Sequence, residues 1–255
     1  MLSLKVDGLM AALIPKRCIF CHQPSGQMHH CTGCNDDLPW IRTACQICGA
    51  PVPADFPGGA CGVCRVPPVV IDRILSALIY EYPVDRLVTL AKFQVRTDAA
   101  RVLGDLLNAY LQAQKLAGLL DVPDLIIPVP LHRQRLARRG FNQALEIALP
   151  VAAGLGLPLR PDICRRIRHT REQTALTGDA RYQNMRDAFR ATTGLSGRHI
   201  AIVDDVVTTG STVAATACAL QSAGASKIQV WSVARTHRKM HSGSEKGVIQ
   251  RNTGE

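Results

Sequence analysis

Two adjacent acids and a hydroxyl-rich turn follow one apolar run in this chain of 255 residues. Residues 200–203 are aliphatic, mostly β-branched, and are typical of a buried parallel strand. Asp204 and Asp205 come at the predicted carboxyl end of that strand, and a short turn follows them. The turn combines hydroxyl side chains with one glycine: Thr208, Thr209, Gly210, Ser211 and Thr212.

The order of these residues indicates a site for a ribose phosphate. We expect Ser211 or Thr212 to cap a helix over 213–223, and a helix N-terminus favours phosphate. Hydroxyl groups donate to phosphate oxygens, whereas two carboxylates accept from ribose hydroxyls or from water on Mg²⁺. No lysine follows the glycine, as a Walker A loop requires, and the chain contains no G-x-G-x-x-G motif. The alternative is an ordinary strand end whose acids occur by chance.

Residues 200–212 closely resemble the loop of type I phosphoribosyltransferases that binds 5-phosphoribosyl-1-pyrophosphate (PRPP). The resemblance implies that Asp204 and Asp205 hold the ribose hydroxyls, together with Mg²⁺. It also implies that residues 208–212 hold the 5-phosphate.

A second predicted strand end carries a cluster of arginines. Residues 125–127 are apolar, two prolines follow, and four arginines lie within 133–139 before a helix that opens at 140–143. Guanidinium groups bind phosphate oxygens in a planar, bidentate manner. We therefore interpret this segment as the pyrophosphate site, and a solvated basic surface is the alternative. The candidate residues are Pro130, Leu131, His132, Arg133 and Arg139.

Eight of the ten cysteines form four C-x-x-C pairs near the N-terminus. Each such pair presents two sulfurs to one tetrahedral metal ion, so four pairs predict two structural Zn²⁺ sites. Sequential pairing is the simpler topology, and a cross-brace stays open. A disulfide framework is disfavoured because no secretion signal precedes the cysteines. The predicted ligands are Cys18, Cys21, Cys31, Cys34, Cys45, Cys48, Cys61 and Cys64.

Composition and apolar patterning predict an α/β protein with a small metal-binding module before it. We expect an N-terminal helix and double zinc ribbon over 1–68, an α/β domain over 69–236 and a disordered polar tail over 237–255. The domain should contain a mainly parallel sheet with helices on both faces. Its strands and helices are predicted at 74–80, 85–93, 98–116, 125–127 and 227–234.

Charge and hydropathy constrain location and partners. The net charge is +10, and residues 69–255 carry nine of these charges, which favours polyanionic ligands such as PRPP or nucleic acid. No run approaches the roughly 18 apolar residues of a membrane span, so we expect a cytoplasmic protein with no membrane segment.

The motifs together resemble the ComF family of competence proteins. They are the paired cysteines, Pro-Val-Pro-Leu-His at 128–132, Arg-Arg-Gly-Phe-Asn-Gln at 138–143 and the acid-rich loop at 204–212. The resemblance implies a zinc module fused to a phosphoribosyltransferase domain, DNA uptake and DNA-uptake proteins as partners. Val95 departs from the family pattern, which has a glycine nearby.

The acceptor of the phosphoribosyl group is not named by the sequence. The expected activity is Mg²⁺-dependent phosphoribosyl transfer with release of pyrophosphate. The alternative is a non-catalytic protein that senses PRPP or a nucleotide and binds single-stranded DNA. A second basic cluster fits DNA phosphates or a charged strand edge equally well: Arg165, Arg166 and Arg168.

Overall fold

A four-stranded parallel sheet forms the centre of the protein. The computed structural model describes residues 16–26, 29–61, 64, 70–93, 97–168 and 188–237. Along the sheet the strands lie in the order β1 (Arg73–Ile79), β6 (Lys227–Arg235), β5 (His199–Val207) and β2 (Leu125–Pro128). Three of these strands are buried almost throughout, as expected for parallel strands covered on both faces, and β5 is buried up to its acids.

Helices cover both faces of this sheet. The remaining elements are α1 (Thr32–Asp36), α2 (Val84–Phe93), α3 (Thr97–Leu116), α4 (Arg133–Arg139), α5 (Gln143–Leu155), β3 (Cys164–Arg166), β4 (Phe189–Ala191) and α6 (Ser211–Ser222). One apolar cluster unites one face of the sheet with α2, α3 and α5, and a second unites the other face with α6 and the antiparallel hairpin β3–β4. The predicted α/β class is therefore confirmed.

The cysteine-rich segment adds backbone to one edge of the sheet. The N–H of Ile41 donates to Ala77 O at 3.0 Å, and the N–H of Ile79 donates to Pro39 O at 2.8 Å. Residues 39–41 therefore cover the outer edge of β1, which would otherwise present unpaired N–H and C=O groups. At the opposite edge, the N–H of Ile126 donates to Pro158 O at 2.8 Å.

Two local expectations were wrong, and one helix was not predicted. β5 continues through both acids to Val207 rather than ending before them. The arginines after β2 form the short helix α4, which ends at Gly140 in the left-handed conformation. The N-cap of α6 is Gly210, at φ 85°, and not Ser211 or Thr212, because the chain reverses through a left-handed residue there.

Several predicted features lie outside the described residues: the N-terminal helix, Val95 and the tail from residue 238. Within the part of the chain that is described, no helix has the length and apolar character needed to cross a membrane.

Candidate functional site

The two acids of β5 line a cavity of about 610 Å³. Asp205 is buried, and its Oδ2 lies 3.0 Å from Nζ of Lys92 at the end of α2. Nε2 of Gln143 also donates to this oxygen, at 3.4 Å. The first residue of α5 and the last turn of α2 therefore hold one carboxylate of the pair in place.

Asp204 experiences a different environment. Burial, together with the negative charge of Asp205, raises the pKa of Asp204 to about 8, against the opposing effects of Lys92 and Arg166. Its Oδ1 accepts from the N–H of Asp205 at 2.9 Å. Additional positive charge is therefore favourable at this carboxyl group. Two carboxyl groups in such a setting fit a hard divalent cation such as Mg²⁺.

Basic side chains also line this cavity. Burial, followed by its neighbours Arg135 and Arg138, lowers the pKa of Arg139, while Asp205 opposes that shift. Nη1 of Arg139 donates to Oε1 of Gln143, which links the arginine helix to Asp205. Five basic side chains face two acids in this cavity, so it is suited to a highly charged anion: Lys92, Arg135, Arg138, Arg139 and Arg166.

The hydroxyl-rich turn forms the third side of the cavity. Thr208 and Thr212 line it. Oγ1 of Thr209 and Oγ of Ser211 lie 2.9 Å apart, and this contact stabilises the turn. Gly210 is the N-cap of α6, and glycine has no side chain that could accept from the first N–H groups of this 12-residue helix.

The predicted pyrophosphate residues are only partly brought together. Pro130, Leu131 and Arg139 line the cavity, whereas His132 and Arg133 do not belong to its lining. Nδ1 of His132 instead accepts from the N–H of Gln134 at 3.3 Å, as the N-cap of α4. Arg133 is exposed at the start of that helix.

The second basic cluster does not form a single surface. Arg166 lines the cavity and lies over the ring of Phe189, with 5.4 Å from its Cζ to the ring centroid. Arg165 is exposed and pairs in register with Arg190 of β4, and Arg168 is exposed beyond the strand. Successive side chains of a strand point to opposite faces, which separates Arg165 from Arg166.

Lys92, Gln143 and Tyr80 are site residues that the sequence reasoning did not assign. Lys92 ends an amphipathic helix, and Gln143 begins another just beyond the arginines. Both residues lie at a helix end that is close to the end of a strand, and this placement is the signal that could have identified them. Tyr80 follows β1 directly and also lines the cavity.

Two groups of four cysteines have the geometry of tetrahedral metal sites. The first contains Cys18, Cys21, Cys31 and Cys34, the second contains Cys45, Cys48, Cys61 and Cys64, and within each the sulfurs lie within 4.8 Å of one another. The C-x-x-C units therefore pair sequentially rather than as a cross-brace.

The contacts between sulfurs fit Zn²⁺ in both groups. Tetrahedral Zn–S bonds of about 2.3 Å place ligand sulfurs about 3.8 Å apart. The Sγ atoms of Cys21 and Cys31 are 3.7 Å apart, and those of Cys48 and Cys61 are 3.8 Å apart. The N–H of Cys61 donates to Sγ of Cys45 at 3.2 Å, which supports a thiolate.

The acidities of these thiols are uneven. Although burial opposes ionisation, the N–H groups of Cys21, Cys31 and Phe20 help to lower the pKa of Cys18 to about 6. Burial and its neighbouring cysteines raise the pKa of Cys34. Four thiolates so close together are stable only around a cation, so the backbone N–H donors and the four sulfurs of each group fit structural zinc.

Comparison with known proteins agrees with both halves of this description. Residues 9–65 match the model of the double zinc ribbon domain, and residues 142–249 match that of the phosphoribosyl transferase domain. The chain is thus a double zinc ribbon joined to a phosphoribosyltransferase domain.

The chain matches three named relatives over most of their length. The chain is 38% identical to the DNA utilization protein YhgH of Salmonella typhi over 88% of this chain and 98% of that protein. It is 33% identical to Competence protein F of Haemophilus influenzae over 86% and 96% of the two chains. It is 25% identical to Competence protein ComFC of Bacillus subtilis over 92% and 95%. The chain belongs to the ComF family.

Proposed function

We propose that the cavity binds PRPP together with Mg²⁺ and that the chain transfers its 5-phosphoribosyl group. The observation that carries this proposal is the placement of Asp204 and Asp205 between a hydroxyl-rich helix start and a wall of arginines. The match to the phosphoribosyl transferase domain supports it. PRPP has a phosphate at one end, a ribose in the middle and pyrophosphate at the other end. These groups are complementary to the hydroxyl-rich helix start, the acid pair and the arginines, in that order.

Each wall of the cavity has its own part in this proposal. Thr208, Thr212 and the first N–H groups of α6 bind the 5-phosphate. The acid pair accepts from the ribose hydroxyls, and Arg139 with its neighbours on α4 binds the pyrophosphate. Mg²⁺ would supply positive charge between Asp204, Asp205 and the pyrophosphate oxygens.

The chemical step follows from these contacts. An acceptor nucleophile forms a bond to C1 of the ribose as the bond from C1 to the pyrophosphate oxygen breaks. The arginines stabilise the negative charge that the leaving pyrophosphate takes with it. Lys92 neutralises Asp205 before the ligand binds, because its Nζ lies 3.0 Å from that carboxylate. Positioning and electrostatics carry the catalysis.

Calorimetric titration of PRPP with Mg²⁺ tests the binding. We expect the parent to bind and the Asp204→Asn/Asp205→Asn variant to lose at least about 10-fold in affinity, since both carboxyl groups that would hold the ribose and Mg²⁺ are removed. Asp162→Asn is the control, because Asp162 is exposed and pairs with Arg160. Equal affinity of the double variant and the parent would sink the assignment. Pyrophosphate release with a panel of nucleobases then distinguishes an enzyme from a sensor.

The pKa of Asp204 gives a second test. An aspartate in the unfolded chain has a pKa of about 4, whereas the pKa of Asp204 in the folded chain is about 8. Between these values the folded state holds more protons, so its free energy of unfolding falls as pH rises.

Asp204→Asn removes this ionisation. We expect the variant to match the parent at pH 4 and to exceed it by about 1–3 kcal/mol at pH 9, in the absence of ligand. Denaturant titrations across this range measure the difference. Identical pH profiles for the two proteins would contradict the environment assigned to Asp204.

A basic surface on the hairpin favours a second function, binding of single-stranded DNA. Arg165 and Arg190 lie opposite each other across β3–β4, and both are exposed. Like charges directly opposite destabilise a strand pair, so a bound polyanion would relieve their repulsion. The names of the relatives, DNA utilization protein and Competence protein, are in keeping with this proposal.

The division of the arginines determines the variant that tests DNA binding. Arg166 is kept because it lines the PRPP cavity, and Arg165, Arg168 and Arg190 are replaced by Ser. We expect weaker oligonucleotide binding at low salt and unchanged PRPP binding. The parent's affinity should fall by about 0.7 log unit per log unit of salt for each phosphate neutralised. If the triple variant binds as the parent does, the hairpin is only a charged edge.

A further inference from the structure

Arg235 lies in the interior of the protein and connects the second cysteine cluster to the hydroxyl-rich turn at 208–212. It is the last residue of β6, and only 1% of it is exposed. Its Nε donates to Cys48 O at 3.0 Å. Its Nη1 donates to Val207 O at 2.6 Å and also to Thr208 O. One guanidinium group therefore contacts the backbone of a zinc ligand and the start of the hydroxyl-rich turn.

The cysteine end of this connection is fixed to the sheet. Ile47 O accepts from the N–H of Ile74 at 2.9 Å, directly before Cys48. Gly49, at φ 63°, lies so close to β1 that a Cβ atom there would be 2.7 Å from Ile74 O. The direction of the Cys48 carbonyl group therefore depends on the turn that the second cluster holds closed.

The contacts of Arg235 with Val207 and Thr208 set the path of the hydroxyl-rich turn. Val207 ends β5, and Thr208 lines the cavity. Two successive carbonyl oxygens bound to one guanidinium group fix the orientation of the peptide between them. The planar fork of arginine can serve both Cys48 and the turn at once, whereas the single ammonium group of lysine does not have that geometry.

We propose that Arg235 is a positioning residue that couples metal occupancy of Cys45, Cys48, Cys61 and Cys64 to the shape of the turn at 208–212. Zinc at this cluster holds the Cys48 carbonyl group, Arg235 transmits its position, and the turn is thereby arranged for a phosphate group. The identity of the ligand rests on the proposed PRPP site, but the coupling does not. The hydrogen bonds from Arg235 to cysteine-cluster backbone and to the turn involve Cys48, Val207 and Thr208, and so the first cluster serves as an internal reference.

Coupling of this kind is reciprocal. If zinc at the second cluster favours the binding-competent turn, then ligand at the turn must favour zinc at that cluster by the same factor. An arginine that only satisfies buried carbonyl groups would stabilise the fold without this exchange of affinity. The reciprocal effect therefore separates a positioning role from a purely structural one.

The first experiment measures that reciprocal effect on the zinc-loaded, full-length protein. A chelator that is selective for Zn²⁺ over Mg²⁺ is added with an alkylating reagent, and mass spectrometry follows modification of each cysteine with and without PRPP and Mg²⁺. We expect PRPP to slow alkylation of the second cluster by about 5-fold or more and to leave the first cluster unchanged. Arg235→Lys should abolish this difference. Arg101→Met is the control, since Arg101 is exposed and pairs with Glu146 on another face.

The second experiment keeps the coupling testable without PRPP. Hydrogen exchange at 208–212 is compared between the parent, Cys45→Ser, which loses the second zinc, and Cys18→Ser, which loses the first. We expect faster exchange at the turn in Cys45→Ser only. A parent that does not bind PRPP yet shows this exchange pattern would remove the proposed ligand and retain the coupling. Equal exchange in the two cysteine variants, or equal protection of both clusters by PRPP, overturns the coupling.

Discussion

The two cysteine clusters have the same ligands but are attached to the protein in different ways. Ile19 and Phe20, within the first cluster's turn, contribute side chains to the apolar core beneath the helices. The second cluster is bound by backbone hydrogen bonds, through Ile47 O to β1 and through Cys48 O to Arg235. Apolar packing is non-directional, whereas hydrogen bonds fix position and angle. Identical metal sites can therefore be a packing element in one place and a positional anchor in another.

Removal of one ligand from each cluster is the strongest test of this contrast. Cys18→Ser and Cys45→Ser replace residues of equal burial, at 0% and 1% exposure. Each variant should contain one zinc instead of two by elemental analysis. We expect Cys45→Ser to lower the free energy of unfolding by at least about 4 kcal/mol, because β1 and Arg235 lose their partners as well. Cys18→Ser should cost clearly less, and equal losses would mean that the two attachments are equivalent.

A matched pair of glycines sharpens the comparison. Gly26 and Gly49 have nearly the same φ, 65° and 63°. A Cβ atom at Gly26 meets nothing within 4 Å, whereas one at Gly49 would lie 2.7 Å from Ile74 O. We expect Gly26→Ala to cost about 1–2 kcal/mol, from backbone strain alone. Gly49→Ala should cost about 2–4 kcal/mol, because the second ribbon must also move away from β1. Denaturant titration measures both, and a larger loss at Gly26 would contradict the contrast.

The smallest effect concerns the segment between the clusters. Nε1 of Trp40 donates to Asn35 O at 2.8 Å, which ties the end of the first ribbon to the strand edge. Trp40→Phe removes this bond and should destabilise the protein by about 1 kcal/mol. Chelator should then extract zinc faster from the first cluster than in the parent, with the second cluster unaffected. Faster loss from both clusters would show that they are not independent.

Local patterns predicted most elements of the fold. The bounds of β1, α2 and α3 agree with the predicted ranges to within one residue, because apolar periodicity is a local property. α4 was not predicted, since its seven residues have no apolar period and its only large aliphatic side chain, Leu136, is exposed. Its boundaries are instead set by His132 at one end and by Gly140 at the other.

The candidate site was predictable where a single continuous segment supplies its residues. Asp204, Asp205 and Thr208 follow each other in sequence, so their proximity needs no tertiary information. Lys92 reaches Asp205 from more than a hundred residues away, and Arg235 reaches Val207 from another strand, so spacing within one segment does not show either contact. The opposite directions of Arg165 and Arg166 depend on pairing of β3 with β4, a strand of three residues without a recognisable pattern.

The position of β6 between β1 and β5 has a consequence for synthesis of the chain. Among the described strands β6 is the last to leave the ribosome, yet it is the neighbour of both β1 and β5 in the sheet. The cysteine ribbons emerge first and can acquire metal while the inner edge of β1 still has no partner. A nascent chain halted at residue 226 should therefore carry zinc without a closed sheet, and protease sensitivity of arrested chains would reveal it. Closure of the sheet and arrival of Arg235 at Cys48 are then a single late event.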